Sequence, residues 1–496
     1  MTSSATTCRC SSATEPSAAC PPTRSNAWND TGATREPARR TGTGRGVVRA
    51  ARAPSGHVPL DWRSLVTERP VVLDRARLID GTGAAPVPDA VLVVEGTRIR
   101  WCGPAALLPD DPDLRAAARI DLGGRTVCPG FIDTHVHFAL PGPAGDPALG
   151  VAEHVTYRTL KVLERLRTTL HNGVTTARDL MGLDAGFRRA VAERRIAGPR
   201  LLVAVTMLSQ TAGHADFRLP GGVDGLAAAV AFPGSPCGIV DTVDDIRTRV
   251  RALVAAGADC VKLATSGGVT SPYDRPEWLG LRPELVRAAV EEAEAYGGLR
   301  VAVHAIGEPG IAAAVRAGVH SIEHGYALTD ELRAEMAERG QFLVPTLLET
   351  TAEPDPARVG PHIHAKAVHW HRVAQEAFAR SVRAGVPVAM GTDAGLTAPH
   401  GQNLKELGLM VRFGGMTPLQ AIRAATADAA RLCGVDDLTG TLAAGKAADL
   451  VVCGMDPLTD LDGLADPSHI HAVVKDGHLA VDRVGVLAAA GLPDLT

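Results

Sequence analysis

The stretch Gly130-Phe131-Ile132-Asp133-Thr134-His135-Val136-His137 decides how the rest of the chain is read. Residues 127–138 have the character of a short buried strand whose last residues turn polar. Side chains alternate along a strand, so His135 and His137 project from one face, spaced to share a single cation, while Val136 points into packing. In a chain with 17 histidines, an isolated His-x-His pair is as readily two half-buried side chains. Its weight comes from the ends of later strand-like runs, which carry a lysine, two more histidines and an aspartate.

Working outward, strand-like runs fall at 131–138, 175–180, 200–208, 260–265, 301–305, 321–324, 342–347 and 387–392. Amphipathic stretches at 155–170, 242–256, 282–296, 330–339 and 364–384 lie between them. Asp244-Asp245 and Asp330-Glu331 place acids in first helical turns, where the helix dipole favours them. Apolar strands alternating with helices predict an α/β fold, a (β/α)8 barrel over 129–435, with its chemistry at the C-terminal ends of the strands. Further β-type runs at 71–73, 90–94, 98–102 and 125–127 precede this unit, and runs at 449–453 and 472–475, with an Asp476-Gly477 hairpin turn, follow it. They predict a small β-sandwich assembled from 67–128 and 436–496.

Residues 1–66 differ in kind: Ser, Thr, Ala, Pro, Gly and Arg dominate, with nine arginines against four acidic residues. Such a composition buries too little apolar surface to offset chain entropy, so a disordered, dispensable tail is expected; no apolar h-region marks it as a secretory signal. The net charge of −4 gives no general attraction for nucleic acid or anionic membrane, and no apolar run approaches the roughly 20 residues that span a bilayer. The nine cysteines show neither a C-x-x-C pair nor framework spacing, which points to a reducing cytoplasm.

The polar residues at the strand ends form the candidate site. Lys262 sits in Asp259-Cys260-Val261-Lys262-Leu263-Ala264, where a charge among apolar neighbours is costly unless paired or chemically removed. His304 ends Val301-Ala302-Val303-His304, His324 ends Ser321-Ile322-Glu323-His324, and Asp393 follows Met390-Gly391-Thr392. Each alone fits a hydrogen-bonded core residue. Together with His135 and His137 they converge on one mouth, and four neutral imidazoles plus a carboxylate suit Zn²⁺ or a similar borderline ion.

These residues make the chain resemble the amidohydrolase superfamily, in its binuclear branch with His-x-His on the first strand and a carboxylated lysine on the fourth. Leu78-Ile79-Asp80-Gly81-Thr82-Gly83 and the run from Gly440 to Val452 are similar to that superfamily's flanking segments. Thr175-Thr176-Ala177-Arg178-Asp179, the run from Ser209 to Asp216 and the run from Lys262 to Pro272 are similar to the Xaa-Pro dipeptidases and carboxypeptidase-like amidases. Imidazolonepropionases are more distant cousins that use one metal and lack the strand-four lysine. The resemblance implies two divalent metals, with His135, His137 and Asp393 on one and His304 and His324 on the other. A CO2-derived carbamate on Lys262 bridges them. It further implies amide hydrolysis by metal-activated hydroxide, with Asp393 and Lys262 as the catalytic pair. The substrate is then a dipeptide such as Xaa-Pro or an N-acyl amino acid, and a homo-oligomer is compatible with it. Rival readings are a cyclic amidase or deaminase on a small heterocycle, and a non-catalytic relative.

The Gly- and Pro-rich connection from Ser209 to about Asp241 exceeds ordinary loop length, as active-site lids do. Its His214 and Asp216, with Tyr273 further on, are the candidate substrate contacts. Ser266-Gly267-Gly268 lacks a nucleophile-elbow pattern and is read as shaping the pocket. His362, His364 and His369 fit a solvated helix face.

Overall fold

A computed structural model describes residues 69–140, 153–218, 230–271, 273–352, 354–395 and 397–496. The expected tail, residues 1–66, lies outside the described residues. Among these, no helix is long and apolar enough to cross a membrane.

The protein is a mixed α/β fold. Strands from both flanks meet in one eight-stranded sheet: β1 (Val71–Leu78), β2 (Val87–Glu95), β3 (Arg98–Pro104), β4 (Ala118–Asp121), β5 (Thr126–Pro129), and then β14 (Leu450–Cys453), β15 (Ile470–Lys475) and β16 (His478–Asp482). The order is β16-β15-β14-β5-β1-β2-β3, with β4 also paired to β1. β14 joins β5 antiparallel, Val451 opposite Cys128. Alternation assigns the two faces. Val127, Leu450 and Val452 pack with Leu73 and Leu92 in the sheet's own core, whereas Cys128, Val451 and Cys453 face the central core. Asp476 and Gly477 both adopt positive φ, as the tight β15–β16 hairpin requires.

The central strands are parallel. β6 (Phe131–Val136), β7 (Val174–Asp179) and β8 (Arg200–Val203) form one sheet. β9 (Met207–Leu208), β10 (Cys260–Ala264), β11 (Arg300–Ala305), β12 (Ser321–His324) and β13 (Phe342–Val344) form another. Helices between them include Val155–His171, Val243–Ala255, Pro283–Ala295, Asp330–Arg339 and Pro361–Arg383. Thr242 and Asp245 form a reciprocal capping box at Val243–Ala255, and left-handed Gly318 and Gly340 end Glu308–Ala317 and Asp330–Arg339. Hydrogen bonds link the two parallel sheets on both sides. The Asp259 amide donates to Val203 O at 2.8 Å, Val388 bridges Leu343, and Ala394 bridges Val136.

Three strand-like runs depart from expectation, each for a local reason. The run 200–208 splits because Val205 takes φ +66 and breaks the extended backbone. The run 342–347 stops at Val344: Thr346 is left-handed, and the amides of Leu347 and Leu348 turn to the buried Glu406 carboxylate at 2.7 Å each. The run 387–392 makes only a single-residue bridge, because Pro387 has no amide and Met390 N donates to Ala424 O instead.

One polar joint ties the parallel strands to the flanking sheet. Arg200 on β8 donates to the buried Asp449 carboxylate at 2.7 Å and also pairs with Asp476, while Thr439 Oγ1 and the Asp476 amide complete Asp449 at 2.8 Å each. Removing Arg200 leaves Asp449 as a buried carboxylate without its cation. Arg200→Met is expected to cost about 3 kcal/mol in denaturant unfolding; a loss below about 1 kcal/mol would place the joint with exposed pairs instead.

Candidate metal centre

The strand ends bring the six expected residues to one place. His135 Nε2 lies 3.3 Å from His137 Nε2 and 3.3 Å from Asp393 Oδ1, and His137 Nε2 is 3.2 Å from the same oxygen. His324 Nε2 is 4.0 Å from Asp393 Oδ2. The His304 and His324 rings stand 4.6 Å apart, edge to face, and His135 and His324 are 5.3 Å apart. Among the described residues, His135, His324 and Asp393 also offer ligand atoms within 4.8 Å of one another, the spacing of a shared ion.

The back side of each imidazole decides which nitrogen points inward. His137 Nδ1 donates to Met181 O at 3.3 Å, leaving Nε2 as the lone pair facing Asp393. Thr346 Oγ1 spends its own proton on Pro345 O and so accepts from His324 Nδ1 at 2.8 Å, which frees His324 Nε2. His304 reverses the pattern: its Nε2 faces Gly267 O at 3.1 Å, leaving Nδ1. His135 Nδ1 sits 2.9 Å from Glu323 Oε2, close enough for a charge contact although neither atom has a well-aligned hydrogen bond. Backing groups of this kind fix tautomer and ring orientation in metal-binding histidines.

The electrostatics of His304, His324 and Asp393 suit a cation-binding set, whereas His135, despite its burial, is raised above the usual imidazole value by Asp393 and Glu323. Burial, with neighbouring positive charge, holds the pKa of His304 and of His324 well below the usual imidazole value, the neutral form that ligates. Burial raises the Asp393 carboxyl, but His135 and His137 outweigh it and hold it well below its usual value. Lys262 is 1% exposed and its Nζ has no hydrogen-bond partner among the described residues. Burial pushes its amine down to about 8, against the pull of Glu323 and Asp393. Two imidazole lone pairs and a carboxylate oxygen within 3.3 Å of one another repel unless they share a cation, so this donor set fits a divalent metal.

Beneath the centre runs a layer that the sequence reading quoted but gave no role. Arg178 on β7, fully buried, donates to Thr134 O at 2.6 Å and to Glu323 Oε1 at 3.1 Å. The burial that singled out Lys262 applies equally to this pair: charges inside apolar strands. Asp133 accepts from Thr392 Oγ1 at 2.6 Å and Asn403 Nδ2 at 2.7 Å, joining β6 to the segment that carries Asp393.

The substrate candidates are placed differently from one another. His214 stacks on His304 at 4.0 Å and its Nδ1 contacts Asp274 Oδ2 at 3.0 Å, so it reaches the centre. A Cβ at Gly268 would lie 2.1 Å from the His214 ring, which explains the glycine there. Lys366, on a helix whose histidines drew attention instead, clamps this loop through Gly268 O, Ser271 O and Asp274 O at 3.1, 2.6 and 3.0 Å. Asp216 is engaged locally, accepting from the Ala212 amide at 2.8 Å and pairing with Arg218. Tyr273 is 59% exposed.

Glu323→Gln uncouples His135 from its backing carboxylate and strands Arg178. We expect metal affinity, measured by chelator competition, to fall about 10- to 100-fold. Unchanged affinity in a folded variant would show that Glu323 serves packing alone.

Residues 126–480 match the model of the amidohydrolase family. The ochratoxinase of Aspergillus niger is 32% identical over 434 residues, covering 85% of this chain and 88% of that protein. A Xaa-Pro dipeptidase solved with methionine in its active site superimposes with a TM-score of 0.73 at 30% identity, over 83% of this chain and 99% of that one. A prolidase complexed with N-methylphosphonate-L-proline does so with a TM-score of 0.74 at 31% identity, over 84% of this chain and 100% of that one. With a C–N hydrolase activity supported by these relatives, the chain belongs to the amidohydrolase family.

Proposed function

We propose that this enzyme is a binuclear metal-dependent hydrolase that cleaves the amide bond of a small substrate, a dipeptide such as Xaa-Pro or an N-acyl amino acid, in the cytoplasm. The observation that carries the reading is the meeting of four imidazoles, three of them hydrogen-bonded from behind, with one carboxylate and a buried amine that has no partner among the described residues. The links between the two parallel sheets support their closure into a (β/α)8 barrel spanning 129–435 beside a unit built from 67–128 and 436–496. The unpaired described cysteines are consistent with a reducing compartment.

In this reading His135, His137 and Asp393 hold one ion, and His304 and His324 hold the second. Lys262, carboxylated by CO2, would offer its carbamate oxygens as further metal donors. The modification –NH3⁺ + CO2 → –NH–COO⁻ + 2 H⁺ converts a buried cation into an anion that bound cations would neutralise, which removes the burial problem. Bound Zn²⁺ or a similar ion contributes a readily deprotonated water and polarises the scissile carbonyl.

The chain's own groups do the rest. Asp393 has 23% of its side chain exposed, against 1% for His135, 8% for His137 and 6% for His324, so it borders the entrance. With Oδ1 between His135 Nε2 and His137 Nε2, where the ion would be held, Oδ2 is the atom that carries a proton to the departing nitrogen. His214, braced by Asp274, sits beside the second ion's ligand, where it meets the substrate; Asp216 and Tyr273 are proposed to contribute from the same loops. The dipeptide and N-acyl amino acid classes rest on the relatives whose structures hold methionine and a phosphonate of proline.

Assaying the purified protein against dipeptide and N-acyl amino acid libraries with added Zn²⁺ or Mn²⁺ tests the substrate class; no turnover of any amide would refute it. Lys262→Ala tests the bridge. It should abolish most activity, and acetate or propionate should restore part of it by occupying the vacated space. Rescue by amines and not by carboxylates would make Lys262 a free-amine base and contradict the bridge.

A further inference from the structure

At the other end of the parallel strands, where β11, β12 and β13 begin, the surface opens into a cleft of about 320 Å³. The candidate metal centre lies at their C-terminal ends, so the cleft is separate from it. Among the described residues its lining includes Arg300, Arg339, Arg431 and His320, and no carboxylate. Arg339 and Arg431 have outside partners, Glu335 at 2.6 Å and Asp428 at 2.9 Å. The Arg300 guanidinium has no ion pair or hydrogen bond among the described residues.

The uncharged groups add direction. His320 Nδ1 accepts the Val301 amide at 3.1 Å, so its ring proton sits on Nε2 as a donor. Gln341 Nε2 donates to Val315 O at 3.1 Å and Val319 O at 2.8 Å, which fixes the amide and leaves Oε1 buried without a donor. The lining therefore offers guanidinium and imidazole donors together with one unmet acceptor. The Arg431 guanidinium stacks over Phe342 at 5.4 Å, which holds its planar donors in place.

We propose that this cleft binds a small hydroxylated phosphate monoester, the phosphate meeting Arg300, Arg431, Arg339 and His320 Nε2 while a ligand hydroxyl donates to Gln341 Oε1. Planar guanidinium groups match phosphate oxygens in pairs, and the volume suits a ligand of that size. Hydrogen phosphate can meet Gln341 Oε1 only by turning its own P–OH from the guanidinium groups, whereas a monoester offers a separate hydroxyl, so the monoester is the better ligand. This inference is independent of the amide-hydrolase reading.

Titration calorimetry on the full-length, metal-loaded protein tests it with ribose 5-phosphate, inorganic phosphate, ribose and gluconate. Ribose 5-phosphate should bind saturably and more tightly than inorganic phosphate, and ribose should not bind. Arg300→Gln should weaken ribose 5-phosphate at least about tenfold while the ligand-free melting temperature is unchanged. Gln341→Leu should reduce the ester to the level of inorganic phosphate. If Arg300→Gln does not fold, Arg431→Gln, on a half-exposed side chain, carries the same comparison. Absence of ester binding by the unaltered protein would overturn the proposal. So would binding that survives the arginine substitutions, since the phosphate then sits elsewhere, the metal centre included. Tighter binding of gluconate than of the ester would overturn the ligand class.

Discussion

The buried ion pair between Arg178 and Glu323 is the constraint on which the site depends. Both side chains are fully buried, and charges so far from water are tolerable only when they are paired and hydrogen-bonded. Arg178 is paired by reaching across from β7 to Thr134 O on β6 and to Glu323 on β12, with only its Nη1 left without an acceptor among the described residues, so one side chain links three strands. Glu323 in turn lies against His135 Nδ1, and the orientation of the first imidazole follows from the packing of the strands. Replacing this pair with apolar side chains would keep a core but lose the alignment.

Against that background the partnerless amine of Lys262 stands out. Arg178 has carboxylate and carbonyl acceptors, whereas Lys262 Nζ is buried without any, although it feels the charges of Glu323 and Asp393. A group in that state is destabilising as it stands. Chemical conversion to an anion, or close approach of a ligand, resolves it. The backbone shows the same concentration of cost at the site: His324, Thr346 and Asp393 all have positive φ, a conformation unfavourable for residues other than glycine. His324 and Asp393 present side chains to the centre, and Thr346 supports one of them from behind.

Much of this was legible in the sequence, and the parts that were not share a cause. His135, His137, Lys262, His304, His324 and Asp393 were visible because each is a polar residue ending or interrupting an apolar run, a purely local signal. Strand positions followed period and hydrophobicity, except where a left-handed residue ended the run: Val205 and Thr346 are β-branched, and nothing local announces their positive φ. Arg178 and Glu323 carried the same local signal as Lys262, yet their pairing is a contact between residues 145 positions apart. Lys366 was less legible still, because its acceptors are backbone carbonyls of a distant loop. The cleft lined by Arg300 and Arg431 likewise exists only once separate strand beginnings are assembled.

The central claim is that the six converging side chains form one site for a pair of metal ions. Elemental analysis of the purified protein, grown with ample zinc and freed of loosely bound metal, tests this most directly. The account predicts about two equivalents of divalent metal per chain, as a carboxylate-bridged pair requires. A reproducible single equivalent, unchanged when Lys262 is replaced, would contradict it and leave His304 or His324 with a role outside metal binding.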